Sequence, residues 1–136
     1  MKFYGKIINS WQGEIVGKAL VSKKRLSFLG DVDPFTGKIR AQDSDIYGEE
    51  ISDKILIFRG GRGSTVGAMV IYSLKKNKKA PLAIITQETD PVIVSGAIFS
   101  NIPTVSEIDE EVFMRVKTND VLKMYIVDER AIIELR

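Results

Sequence analysis

Gly60-Gly61-Arg62-Gly63-Ser64-Thr65-Val66-Gly67 is the segment of this chain whose residue types and spacing best suit chemistry. It follows a run of apolar residues and precedes a helical pattern, so it reads as a turn from a buried strand into a helix. The first amides of a helix lack intrahelical acceptors, and the macrodipole adds partial positive charge there. Glycines let the backbone turn with positive φ and come close to a ligand. Anions bind well at such a place. A serine hydroxyl held there is a candidate proton acceptor. Its alkoxide, beside N–H groups and Arg62, is stabilised by the same electrostatics that hold oxyanions. Two other readings compete. One is a plain strand–helix turn with Ser64 or Thr65 as the helix cap. The other is a dinucleotide loop, since Gly61-x-Gly63-x-x-x-Gly67 approximates that fingerprint and Glu88 ends the next predicted strand. A Walker loop is excluded, because no lysine precedes Ser64 or Thr65.

The rest of the composition narrows the chemistry further. The 136 residues contain no cysteine and no histidine. Thiolate nucleophiles, Ser-His-Asp triads, zinc fingers and cysteine-ligated iron–sulfur clusters within this chain are thereby excluded, and no metal-ligating residues are expected. Apolar residues make up 44% and charged residues 28%, as in a globular domain, and the formal net charge is +2. That charge gives no ground for nucleic-acid or membrane binding. No run approaches the roughly 18 apolar residues of a membrane span, and the N-terminus has no signal-peptide pattern, so a cytoplasmic location is expected. Lys75, Lys76, Lys78 and Lys79 read as a solvated helix end, and Lys23-Lys24-Arg25 as a turn.

The elements that must position the glycine turn follow from hydrophobic patterning. Phe3 to Ile8 and Glu14 to Val21 read as strands. Leu26 through Ile39, with two glycines, a proline and two aspartates, reads as an irregular loop, apolar enough to pack on something. Lys54 to Arg59 and Leu82 to Thr86 are continuous apolar runs of strand length, buried on both faces. With the helix between them they form a strand–helix–strand unit whose strands are parallel. Asp90-Pro91 signals a second helix ending near Asn101. Ile102 to Val105 is a short strand, and Val121 to Val127 and Ala131 to Leu135 flank a turn at Asp128-Glu129-Arg130. The expected fold is α/β, a β-rich frame around a small parallel core with flanking helices, in a single domain spanning residues 1–136.

Five segments in order carry a resemblance to a known family. They are Gly17-Lys18-Ala19-Leu20-Val21-Ser22; Leu26-Ser27-Phe28 with Gly30 and Val32-Asp33-Pro34 through Ile39; Gly61-Arg62-Gly63-Ser64-Thr65 with Gly67; Ala80 to Ile85; and Asp90-Pro91-Val92-Ile93 with Gly96-Ala97-Ile98. On these residues the chain resembles the aconitase X swivel-domain family. The resemblance implies a swivelling β/β/α domain docked on a large catalytic subunit, in a heterodimer or higher assembly. It implies that the large subunit carries an iron–sulfur cluster and that this chain binds no cofactor. The implied proton acceptor is Ser64, with Gly61, Arg62, Gly63 and Thr65 around the substrate. The implied substrate is a small phosphorylated hydroxy acid, and the implied reaction is dehydration of 5-phosphomevalonate in the archaeal isoprenoid route. There the cluster iron would act as Lewis acid on the departing hydroxyl. A hydroxyproline dehydratase subunit or a stand-alone anion- or nucleotide-binding module are the alternatives. The chain departs from the family pattern at Leu29 and Asp31, where Trp and Gly are usual, at Thr65, and in Arg40 to Asp45, where a His-Pro is common.

Overall fold

Short β-branched runs become the staves of a closed barrel in the computed structural model, which describes residues 1–136. The strands are β1 (Lys2–Asn9), β2 (Ile15–Val21), β3 (Ile55–Phe58), β4 (Ala83–Thr86), β5 (Thr104–Ser106), β6 (Val121–Val127) and β7 (Arg130–Leu135). They close in the order β1-β5-β4-β3-β2-β6-β7. β2, β3, β4 and β5 run parallel to their neighbours in that row. β6, β7 and β1 complete the circle through antiparallel pairings. The expected parallel pair is present, with Leu56 beside Ile84, and it extends to β2 and β5 on either side.

Alternation along the strands splits the apolar residues into two cores, because successive side chains face opposite ways. Ile55, Ile57, Ala83 and Ile85 join Phe3, Leu122, Met124, Ala131 and Ile133 in one cluster. Leu56, Phe58 and Ile84 join the other, against Val70, Ile71, Leu74 and Ile93. Every residue of β3 and β4 is therefore buried. Burial of each large side chain stabilises the fold by about 1.5–3 kcal/mol.

The helices are α1 (Phe28–Asp31), α2 (Gly67–Lys76), α3 (Pro91–Phe99) and α4 (Val112–Arg115). α2 and α3 cover the outer face of the parallel strands. Their close approach depends on Gly96, where a Cβ would lie 2.7 Å from Ile71 Cδ1 and 3.2 Å from Ala68 Cα. Asp90 caps α3 as expected, its Oδ2 accepting from the Ile93 amide at 3.0 Å with Pro91 in the first turn. Lys75 and Lys76 occupy the last turn of α2, where cations suit the dipole.

The long connection from 22 to 54 packs as its apolar content predicts: Leu26, Phe28, Val32, Ile39, Ile46 and Ile51 are all buried against the outer core. It differs from an irregular loop in containing the single turn α1. α4 is also unexpected. It contributes Val112 and Phe113 to the inner core, and the Arg59 guanidinium lies 3.9 Å from the Phe113 ring centroid. The final hairpin turns on Asp128 and Glu129, both at positive φ, while Arg130 already belongs to β7.

Candidate active site

β3 ends at Phe58, and the chain passes through the glycine turn before α2 begins at Gly67. Leu26 holds the turn from one side: its amide donates to Gly60 O at 2.9 Å, and the Arg62 amide donates to Leu26 O at 3.2 Å. Two of the glycines are demanded by geometry. Gly63 has φ +94°, and a Cβ there would lie 3.0 Å from Ser27 Oγ. At Gly61 a Cβ would lie 2.6 Å from Asp90 Oδ2. The cap residues of α1 and α3, Ser27 and Asp90, thus close on the turn from two sides, which only bare backbone permits.

Ser64 is exposed, and its Oγ accepts a hydrogen bond from the Val66 amide at 3.0 Å. Neither Ser64 nor Thr65 is the cap residue of α2. A tight lead-in turn comes first, with the amides of Gly67, Ala68 and Met69 donating to Ser64 O, Thr65 O and Val66 O at 3.0, 3.3 and 2.9 Å. These i→i+3 bonds are of the 3₁₀ kind, and they push the helix start three residues on. Val66 occupies the cap position without a side-chain bond. The amides of Gly63, Ser64 and Thr65 donate to no protein acceptor. The serine therefore stands among exposed N–H groups, an arrangement that lowers the cost of negative charge on its oxygen.

A shallow cleft gathers Gly61, Arg62, Gly63 and Ser64 with Phe28 and Asp90. Four of the five site residues expected from sequence meet there; Thr65 is exposed just outside it. Arg62 is half exposed and its Nη2 lies 3.3 Å from both oxygens of Asp31. The Asp31 carboxylate is buried and also accepts from the Ser27 amide at 2.8 Å. Sequence reasoning missed Asp31 as the holder of Arg62. The two residues lie far apart in sequence, and no local pattern marks a partner at that distance. Asp33, by contrast, serves its own turn: the Phe35 amide donates to it at 2.8 Å and holds its carboxyl below the ordinary value.

The geometry also decides against a dinucleotide loop. Glu88, which would have to reach a ribose, is bound to Arg25 Nη2 at 2.5 Å. The strands close into a barrel and leave no open, doubly wound sheet. With neither cysteine nor histidine, and no grouping of three or more carboxylates able to hold a metal ion, the residues of this chain do not fit an iron–sulfur cluster. No helix is long and apolar enough to cross a membrane.

Comparison with known proteins gives a consistent picture. The family profile described as Aconitase X swivel domain matches residues 2–135. A phosphomevalonate dehydratase small subunit of Pyrococcus abyssi is 53% identical over 109 residues, covering 80% of this chain and 82% of that protein. One from Methanococcoides burtonii is 47% identical over 113 residues, covering 83% and 82%. The crystal structure of Thermococcus kodakaraensis aconitase X, in its holo-form, superposes with a TM-score of 0.88 at 44% identity, over 98% of each chain.

Proposed function

The chain belongs to the aconitase X swivel-domain family, and from that membership we propose that it is the small subunit of a phosphomevalonate dehydratase. This hydro-lyase converts 5-phosphomevalonate to trans-anhydromevalonate 5-phosphate and water, in the cytoplasm, within the archaeal mevalonate route. The observation that carries the assignment to a site is Ser64 itself: exposed, at the edge of a cleft, with its oxygen on a backbone amide and three further amides unpaired beside it.

In this reading Ser64 Oγ, as the alkoxide, takes the proton from the carbon next to the substrate carboxylate. The electron pair left behind forms the new C=C bond as the neighbouring C–O bond breaks. The hydroxyl departs, and with the abstracted proton the balance is one water. The Val66 amide and the free amides of Gly63, Ser64 and Thr65 stabilise the charge that a serine alone holds poorly. Gly61 and Gly63 keep side chains out of the substrate's path, and Arg62 contributes positive charge to an anionic substrate. A positioned base of this kind contributes about 10²–10⁴-fold in rate.

The other half of the reaction belongs to a partner. The iron–sulfur cluster implied by the family would be held by the large subunit, since this chain has neither cysteine nor histidine to ligate it. The exposed face of the two longer helices supports such docking. Val66 at the cap of α2 and Met69 and Tyr72 within it are exposed, and Tyr72 meets Phe99 of α3 edge-on with ring centroids 5.3 Å apart. Exposed apolar side chains grouped on one side of a fold suit a surface that another chain covers. The test is anaerobic reconstitution with the large subunit. Dehydration of 5-phosphomevalonate is expected from the pair and from neither chain alone. Turnover of hydroxyproline but not of 5-phosphomevalonate would transfer the chain to the related branch.

A further inference from the structure

Behind Arg62 lies a second depression that the proton chemistry does not use. It is an open groove of about 350 Å³ lined by Lys24, Arg25, Asp31, Asp43, Ser44 and Arg62, with no hydrophobic residue. Arg62 is its common wall with the Ser64 cleft. Lys24 and Arg25 follow β2, and Arg62 follows β3, so they share the carboxyl ends of two adjacent parallel strands. Backbone bonds fix the two segments to each other: the Arg59 amide donates to Lys24 O at 3.1 Å, and Leu26 and the turn exchange the bonds described above. The cations are therefore mounted on segments that the backbone fixes to each other.

Each cation keeps donors in reserve. Lys24 Nζ gives one bond, to Asp43 O at 2.9 Å, and an ammonium has three donors. Arg62 meets Asp31 through Nη2 alone. Arg25 meets Glu88 through Nη2 alone. Ser44 Oγ accepts from the Ile46 amide at 3.2 Å and leaves its O–H to donate. The opposing carboxylates are mostly committed, Asp31 to Ser27 and Arg62, and Glu88 to Arg25. Asp43 is the one lining carboxylate with no hydrogen-bond partner.

From this arrangement we propose that the groove is the phosphate subsite, seating the substrate's phosphoryl group on Lys24, Arg25 and Arg62 while Ser64 works on the far end. The inference rests on the dehydratase reading for the identity of the substrate, but the binding of phosphate stands on the groove alone. A dianion with three acceptor oxygens matches separated cations better than a carboxylate does. Lys24 and Arg25 are thereby specificity residues for a phosphorylated substrate, and Asp43 opposes its charge.

Two measurements on the same variants test this. Inorganic phosphate is titrated into the full chain while the Arg and Lys side-chain N–H signals are followed by NMR, and KM and kcat for 5-phosphomevalonate are measured in the reconstituted complex. Lys24→Ala is expected to raise both the phosphate Kd and KM about tenfold, the size of one charge-assisted hydrogen bond, with kcat little changed. Asp43→Asn is expected to lower both, and Lys78→Ala, at the opposite end of α2, to move neither. Opposite signs at Lys24 and Asp43 are what a charge subsite requires and a packing defect does not produce. Phosphate that shifts none of the three cations, or an unchanged KM in Lys24→Ala in a complex that turns over normally, overturns the proposal and leaves the dehydratase reading intact. Phosphate seated in the groove of a complex that dehydrates no phosphorylated hydroxy acid upholds the subsite and removes the dehydratase reading.

Discussion

Gly63 shows how little room the site leaves for another residue. Its left-handed backbone and the nearness of Ser27 Oγ both oppose a Cβ. Gly63→Ala should therefore destabilise the chain by about 1–3 kcal/mol in urea denaturation and depress turnover, because Ser64 is the next residue. Unchanged stability and turnover would mean that the turn does not depend on this conformation. Asp33 carries a second expectation. Its carboxyl is held below the ordinary 3.8, chiefly by the Phe35 amide, so the folded state favours the ionised form. Its contribution is present above the unfolded value and is lost as pH falls through the folded one. Asp33→Asn should make the acid side of the stability curve shallower as pH falls through and below the ordinary 3.8. An acid limb as steep as that of the unmodified chain would remove Asp33 from it. At this scale Ser64, Arg62 and the glycines were legible, because a turn's chemistry is written in adjacent residues. Asp31, Lys24 and Arg25 were not, because their meeting with Arg62 is made by β2 and β3 lying side by side.

Among the elements, strands and the two longer helices could be read from apolar runs and from Asp90-Pro91. Ending α3's first turn on a side-chain cap is worth about 1 kcal/mol, so Asp90→Ala should lower thermal stability by that amount while Asp90→Asn, also a good cap, largely restores it. Equal loss in both variants would point to the contact with Gly61 instead of the cap. α1 and α4 escaped the reading for a physical reason. Each spans a single turn of four residues, too short to display a helical period. α1 also lies among turn-forming residues that mask it. The start of α2 was placed too early, since Ser64 and Thr65 have cap chemistry but sit in a 3₁₀ lead-in whose bonds depend on how the turn is clamped.

For the whole molecule, a β-rich frame with a small parallel core was the visible part, and closure into one barrel was not. Closure depends on β1 meeting both β5 and β7, pairings between opposite ends of the chain that leave no mark in local pattern. In the proposed function the barrel matters because it carries Ser64 exposed at the turn after β3, in a chain with no residues that would ligate a cluster. A turn of that kind fits the proposal that this chain supplies half of an active site. The most direct test is turnover of 5-phosphomevalonate, together with solvent deuterium exchange at the carbon beside its carboxylate, in complexes built with Ser64→Ala. Loss of both by about 10²–10⁴-fold with assembly intact is the predicted result; dehydration and exchange near the unmodified rates would contradict a proton-accepting Ser64.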